Sequence, residues 1–161
     1  MSDFTFNVAL GREVEFYNRI DTNDPANSAF IVLVLRAANL ESDAILKDYD
    51  TVAALLAGAT DEATNSGYAR KTLTDADLSA YTVDDTNDRI QLLIPTLTFT
   101  TIGAGDVWSK LVIAYDNDTT SGTDTNLIPV TAHDLRYAGT PVVPNGTNIV
   151  VGNPNGFVIA Y

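Results

Sequence analysis

The stretch from Lys110 to Leu135 constrains the fold of this chain more than any other. An apolar run, Leu111 to Tyr115, enters an acidic turn that contains glycine, and a second apolar run, Leu127 to Val130, leaves it. Two such runs around turn residues predict a β-hairpin with a long loop, buried on at least one face. The segments on either side have patterns that would let them pair with this hairpin.

The most apolar stretch, Ala29 to Ala37, predicts a central strand covered on both sides, because aliphatic residues follow Phe30 without interruption. Val8 to Ile20 fits a helical period and a period of two equally well, so periodicity leaves both open. Asp48 to Gly58 predicts a short helix, with Asp50 as its N-cap and Gly58 just past its end.

Further strand patterns are short and separated by turn residues. They are Tyr68 to Leu73, Arg89 to Ile94, Thr96 to Thr101, Asn148 to Val151 and Phe157 to Tyr161. Seven to nine short strands with one or two short helices predict a mainly β fold, an antiparallel β-sandwich or jelly roll. No linker of domain-separating length interrupts the 161 residues, which indicates a single domain over 1–161, with 1–7 as a possible N-terminal arm.

Charge and composition narrow the function classes. The formal charge is −12, from 21 acids and 9 bases, which argues against binding nucleic acid or an anionic membrane. There is no cysteine, which excludes disulfides and thiolate metal sites. No apolar run is long enough to span a bilayer, and the N-terminus lacks the pattern of a secretory signal.

The loop from Asp116 to Asp124 is rich in oxygen ligands of the kind calcium prefers. Asp116, Asp118 and Asp124 are therefore the candidate calcium ligands. The loop is not an EF-hand, because strands flank it and no glutamate closes it. The alternative is a solvated hairpin turn with Asx hydrogen bonds.

No catalytic constellation is present in the sequence. His133 is the only histidine, and its neighbour Asp134 should point to the opposite face of a strand. A glycoside hydrolase would need two carboxylates across a cleft, and nothing singles out such a pair among the 21 acids. We therefore expect the chain not to be an enzyme and to need no cofactor other than the possible calcium.

Several segments, read in order, resemble a family of small virion structural proteins from tailed bacteriophages. They are Val8 to Ile20 with Ala29 to Arg36, then Ser66 to Leu73, Asp85 to Thr100, Lys110 to Asp134, and Asn145 to Ile159. In that family a turn of the type IY-(N/D)-(D/S)-T precedes a strand that ends in Asp-Phe. Here the corresponding positions are Ala114–Tyr115–Asp116 and Asp134–Leu135, with leucine in place of phenylalanine and a longer turn.

The resemblance implies a compact β-sandwich in the virion and favours helix for Val8 to Ile20. We expect a capsid decoration (cement) protein that binds the major capsid protein, or other virion proteins, as a homotrimer. Phe4 and Phe6 on the N-terminal arm are candidate anchors on a neighbour, the alternative being an edge strand of the chain's own sheet. A tail-associated receptor- or glycan-binding module is the other function class, and it predicts an exposed aromatic such as Trp108 or Tyr137.

Overall fold

Strands dominate the computed structural model, which describes residues 2–79, 82–136, 139–152 and 158–160. The strands are β1 Phe4–Thr5, β2 Ala29–Arg36, β3 Lys71–Leu73, β4 Thr82–Asp84, β5 Arg89–Leu92, β6 Leu97–Ile102, β7 Trp108–Asp116, β8 Ile128–Asp134, β9 Thr147–Val151 and β10 Val158–Ala160. The helices are α1 Glu13–Asp21, α2 Asp43–Leu46 and α3 Val52–Ala57, with 3-10 helices at Asn7–Ala9 and Asp75–Asp77.

A five-stranded antiparallel sheet, in the order β1-β8-β7-β2-β3, forms the centre of the fold. The predicted hairpin is confirmed as β7 and β8, with Val112 opposite Ala132. The predicted central strand is confirmed as β2, which pairs with β7 along its whole length and is buried on both faces. Two smaller sheets, β10-β5-β4 and β6-β9, complete the antiparallel β-sandwich.

Alternation along β2 and β7 places apolar side chains on both faces of the large sheet. One face, with Leu33 and Val112, packs against α2 and α3; the residues it buries there include Leu46, Val52 and Leu55. The other face, with Val32 and Ile113, packs against α1 and the smaller sheets; the residues it buries there include Phe16, Tyr17, Ile20, Leu92, Leu97 and Phe99. The large sheet is therefore the middle layer of the fold.

The helix predicted within Val8 to Ile20 forms, but it begins only at Glu13. Gly11 has a φ of +77°, a left-handed conformation that separates α1 from the 3-10 helix before it. Gly58 follows the last residue of α3, as predicted, but the predicted N-cap was wrong. Thr51, not Asp50, is the N-cap, because its hydroxyl accepts the N–H of Ala54 at 3.1 Å.

Two further points concern the limits of the elements. Gly58 ends α3 with a φ of −75°, so it is not the left-handed cap that its position predicts. The predicted last strand is described only as β10, and its ends, Phe157 and Tyr161, lie outside the described residues.

Of the helices in the described ranges, none has the length and apolar character needed to cross a bilayer.

Candidate functional site

The loop between β7 and β8 carries the predicted calcium ligands. Asp116 is buried at the end of β7, and its Oδ1 accepts the N–H of Asp118 at 3.0 Å. The loop passes so close above this carboxylate that a Cβ at Gly122 would lie 2.6 Å from Asp116 Oδ2. Asp118 accepts bonds from the hydroxyl and the N–H of Thr120, and these bonds lower the pKa of Asp118. These are the Asx hydrogen bonds of the alternative interpretation.

Asp124 is held by an arginine from a distant part of the chain. Arg70 Nη1 lies 2.5 Å from Asp124 Oδ1, and Arg70 Nη2 donates to Asp124 Oδ2 at 3.0 Å. The same guanidinium donates to Glu62 Oε2 at 2.6 Å, and the Tyr68 hydroxyl donates to Glu62 Oε1 at 2.7 Å. Hydrogen bonds from Arg70 lower the pKa of Asp124, so this carboxylate stays ionised.

The structure brings two of the three predicted ligands to one cavity. Asp116 and Asp124 both line a space of about 240 Å³ beneath the loop, together with Arg70. Asp118 bonds within its own turn instead. Within the part of the chain that the structure describes, no three His, Asp or Glu side chains are grouped so that they could hold a metal ion.

Phe4 and Phe6 lie in the core of their own chain. β1 is an edge strand that pairs with β8, with Phe4 opposite Ala132. Phe6 is fully buried and Phe4 is 9% exposed, and the two rings meet edge to face at 5.2 Å. The arm therefore takes the arrangement of the alternative, an edge strand of its own sheet, and neither ring is presented on the surface to anchor on a neighbour.

A polar cluster fastens the N-terminal arm. The ammonium of Lys110, fully buried, donates to the carbonyl of Ser2 at 3.0 Å and lies 3.2 Å from Asp43 Oδ1. The Ser2 N–H donates to Asp43 Oδ2 at 2.9 Å. Asp3 accepts the N–H of Asp134 at 2.8 Å, which ties the arm to the end of β8 as well.

His133 lies beside this arm and lines a cavity of about 220 Å³. Its Nδ1 lies 3.3 Å from Asp3 Oδ2, and its Nε2 lies 3.0 Å from the hydroxyl of Thr131. Burial lowers the pKa of His133, although the carboxylate of Asp3 opposes that shift. The contacts fix the imidazole in place by a carboxylate and a hydroxyl, an arrangement that suits polar packing at a strand end.

A third cavity, of about 470 Å³, lies between α1 and the β7–β8 hairpin; we call it the α1 cleft. It is lined by Arg12, Phe16, Arg19, Pro25, Tyr115, Asn117, Asn126 and Ile128. Arg12 Nε lies 3.1 Å and Arg19 Nη2 2.9 Å from the carboxylate of Glu15. Sequence reasoning missed this site, although two arginines seven residues apart around a glutamate could have indicated it.

Of the two aromatic residues named for the receptor- or glycan-binding alternative, the structure describes one, Trp108. Trp108 is fully buried, and its Nε1 donates to Asn65 Oδ1 at 2.8 Å. The exposed Trp108 that the receptor- or glycan-binding alternative requires is therefore not observed, because the ring packs in the core against Tyr68 and Phe99. Tyr137, the other candidate, lies outside the described residues.

Comparisons of the chain with protein-family models, with curated proteins and with solved structures found no match.

Proposed function

We propose that this chain is a non-enzymatic bacteriophage virion structural protein. In this proposal it decorates the assembled head as a cement protein and acts as an oligomer, a homotrimer in the simplest case. The resemblance of the Lys110 to Asp134 segment to phage structural proteins supports it. The antiparallel β-sandwich agrees with what that resemblance implies.

The observation that carries the proposal is how the chain uses its arginines. All six make ion pairs with acids of the same chain: Arg12, Arg19, Arg36, Arg70, Arg89 and Arg136. Because each arginine is paired with an acid of the same chain, the excess of 12 acidic charges dominates the surface. Paired arginines and an acidic surface suit a rigid module on an exposed particle surface better than a protein that binds an anionic polymer.

Two of these arginines join segments that are farther apart in sequence. Arg36 pairs with Asp61 and Asp106, and Arg70 joins Glu62 to Asp124. Each pair ties a loop to the rim of the large sheet, because Arg36 ends β2 and Arg70 immediately precedes β3. Loops held in this way lose less conformational entropy when a partner surface binds them.

The direct test locates the chain on purified particles. Virions produced from the genome that encodes the chain would be labelled with an antibody against it and imaged by electron microscopy. We expect labelling over the head surface. Labelling at the tail would favour the receptor-binding alternative, and absence of the chain from purified particles would contradict a virion role.

A second experiment addresses binding and oligomeric state. Shells assembled from the major capsid protein of the same genome would be mixed with the purified chain and sedimented. We expect cosedimentation at a fixed ratio and a trimer by light scattering. Failure to cosediment with intact shells would contradict the cement role, whereas a monomer that still cosediments would contradict only the preassembled trimer.

A further inference from the structure

We propose that the α1 cleft binds the carboxylate of an acidic saccharide, such as a uronic or sialic acid residue. This inference goes beyond the proposed role in the virion, since capsid binding does not require it.

The cleft concentrates positive charge on one wall. Arg12, the residue just before α1, and Arg19 within it both contact Glu15, so the two guanidiniums lie on the same face of the helix. They share a single counter-ion, Glu15, which leaves one net positive charge in the group. Each guanidinium has five N–H donors, and both side chains are 44% exposed, so donors remain for a ligand carboxylate.

The opposite wall offers groups that suit hydroxyls. Asn117 and Asn126, both exposed, line the cleft from the two ends of the hairpin loop. A carboxamide presents a donor and an acceptor side by side, which matches a pair of neighbouring sugar hydroxyls. Pro25 and Ile128 add apolar surface for a sugar ring, and about 470 Å³ lies within the range of about 300–1,000 Å³ typical of small-ligand sites.

Aromatic packing holds Arg12 in position. Arg12 lies over the ring of Phe16, 4.5 Å from its centre, and Phe16 stacks on Tyr115 at 4.6 Å. The Tyr115 hydroxyl is buried beside Arg19 and makes no hydrogen bond of normal geometry among the described residues. That hydroxyl and then Glu15 raise the pKa of Arg19, so its guanidinium remains charged under all ordinary conditions.

The net charge of the chain favours a ligand with one carboxylate over a ligand with many. A glutamate-rich peptide carries many negative charges and would be repelled by a protein of charge −12. A saccharide with one carboxylate meets little of this repulsion, and it uses the carboxamides through its hydroxyls. The combination of two guanidiniums with two carboxamides therefore favours a singly charged saccharide.

The test is a titration of the isotope-labelled full chain, followed by NMR amide shifts. The probes are methyl glucuronide and N-acetylneuraminic acid, with methyl glucoside as the neutral match, acetate as the bare carboxylate, and a hexaglutamate peptide. The variants are the double variant Arg12→Gln/Arg19→Gln, and Asn126→Ala. The control is Arg136→Gln. Arg136 follows the last residue of β8, whereas the first residue of that strand, Ile128, lines the cleft.

At least one acidic saccharide is expected to shift the amides of Asn117 and Asn126 and to bind at least about tenfold more tightly than the glucoside. The double arginine variant should lose about tenfold or more of that affinity while its melting curve shows a folded protein. Arg136→Gln should bind as the unmodified chain does, and Asn126→Ala should weaken binding of the saccharide but not of acetate.

The proposal is overturned if neither acidic saccharide binds, or if the glucoside binds equally well. It is also overturned if acetate matches the saccharides, which would reveal a bare anion site, or if hexaglutamate binds more tightly, which would reveal a peptide site. Equal loss of affinity in Arg136→Gln would show that net charge, and not the cleft, controls binding.

Discussion

The ammonium of Lys110, on β7, is fully buried and lies 3.2 Å from a carboxylate oxygen of Asp43, on α2. Burial opposes ionisation of Asp43, but the Ser2 N–H and the Lys110 ammonium together outweigh it and lower the pKa of Asp43. The pair joins the middle sheet to the helical layer, and the carbonyl of Ser2 adds the N-terminal arm to the same cluster.

Removing either partner of this pair should have unequal effects. Asp43→Ala leaves a buried ammonium without its counter-ion and should cost about 3–5 kcal/mol of unfolding free energy. Lys110→Met should cost less, because it removes the buried charge itself and leaves Asp43, whose side chain is 21% exposed, near water. Urea denaturation measures both, with Asp85→Ala in an exposed turn as the control, expected within about 0.5 kcal/mol. Equal costs for the two variants would contradict this account of the pair.

The layers of the fold follow from local pattern, whereas this pair does not. The aliphatic run of β2 and the paired runs of β7 and β8 have the strand period and the composition of buried strands, so their pairing was predictable. Lys110 opens an apolar run and would ordinarily be placed at a solvated strand end. Its burial depends on the arm and α2 closing over it, a tertiary contact that no local pattern contains.

The middle layer gives a sharp test of the strand assignment. Val112 is fully buried on the face that packs against α2 and α3. Val112→Asp places an unpaired carboxylate there and should cost more than about 4 kcal/mol, enough to unfold the domain. Circular dichroism and thermal melting measure this, with the exposed Val150→Asp as the matched control. A folded Val112→Asp protein with an unchanged melting curve would refute the assignment.

The candidate sites were only partly predictable, for a similar reason. The acidic loop was found from composition, but its partner Arg70 lies 54 positions from Asp124 and carries no local signal. The α1 cleft needs Arg12 from the N-cap of α1 and Arg19 from the helix itself, together with Asn117 and Asn126 from a distant loop. The spacing of the two arginines is visible in the sequence. That the two asparagines face them is not visible there, because only the folded chain brings the loop next to α1.

The hydrogen-bond network of Arg70 predicts how the chain responds to calcium. Arg70→Gln removes the bonds to Glu62 and Asp124 and should cost about 2 kcal/mol in urea denaturation, since the groups are partly exposed. Calcium should raise the melting temperature of this variant more than that of the unmodified chain, because Asp124 is then free to bind it.

Arg89→Gln, which removes the ion pair with Asp84, is the control for the loss of charge. A strong calcium-dependent rise in the melting temperature of the unmodified chain, reversed by chelator, would instead establish the calcium site predicted from Asp116, Asp118 and Asp124.

His133 predicts a pH dependence of stability near neutrality. Burial lowers the pKa of His133 in the folded state, so the unfolded chain binds a proton more readily. The free energy of unfolding should therefore be highest above the ordinary histidine pKa of 6.5. It should fall as the pH decreases from 6.5 towards the lower pKa of His133 in the folded chain. Urea midpoints measured from about pH 8 to about pH 5 follow this window.

Because His133 is the only histidine, His133→Gln should remove most of that decrease. An unmodified chain whose stability is flat across the window, or a variant that keeps the full decrease, would contradict the assignment.

Asn65 is the group that satisfies the buried indole of Trp108. Its Oδ1 accepts the Trp108 Nε1–H at 2.8 Å, and its Nδ2 donates to the carbonyls of Gly103 and Asp106. Asn65→Leu would leave one donor and two acceptors without partners in a site that is 6% exposed, so we expect a loss of about 3 kcal/mol. Asn18→Leu, on the exposed side of α1, makes the same chemical change and should cost less than about 0.5 kcal/mol.

Fluorescence of the single tryptophan reports on the same contact. The buried ring of Trp108, held edge to face by Phe99 at 5.1 Å, should emit at short wavelength in the folded chain and shift to the red on unfolding. Asn65→Leu should move the urea midpoint of this shift to lower concentration while the folded emission stays short, because the ring remains packed. A red-shifted spectrum in the folded variant would mean that the hydrogen bond, and not aromatic packing, keeps the indole inside the core.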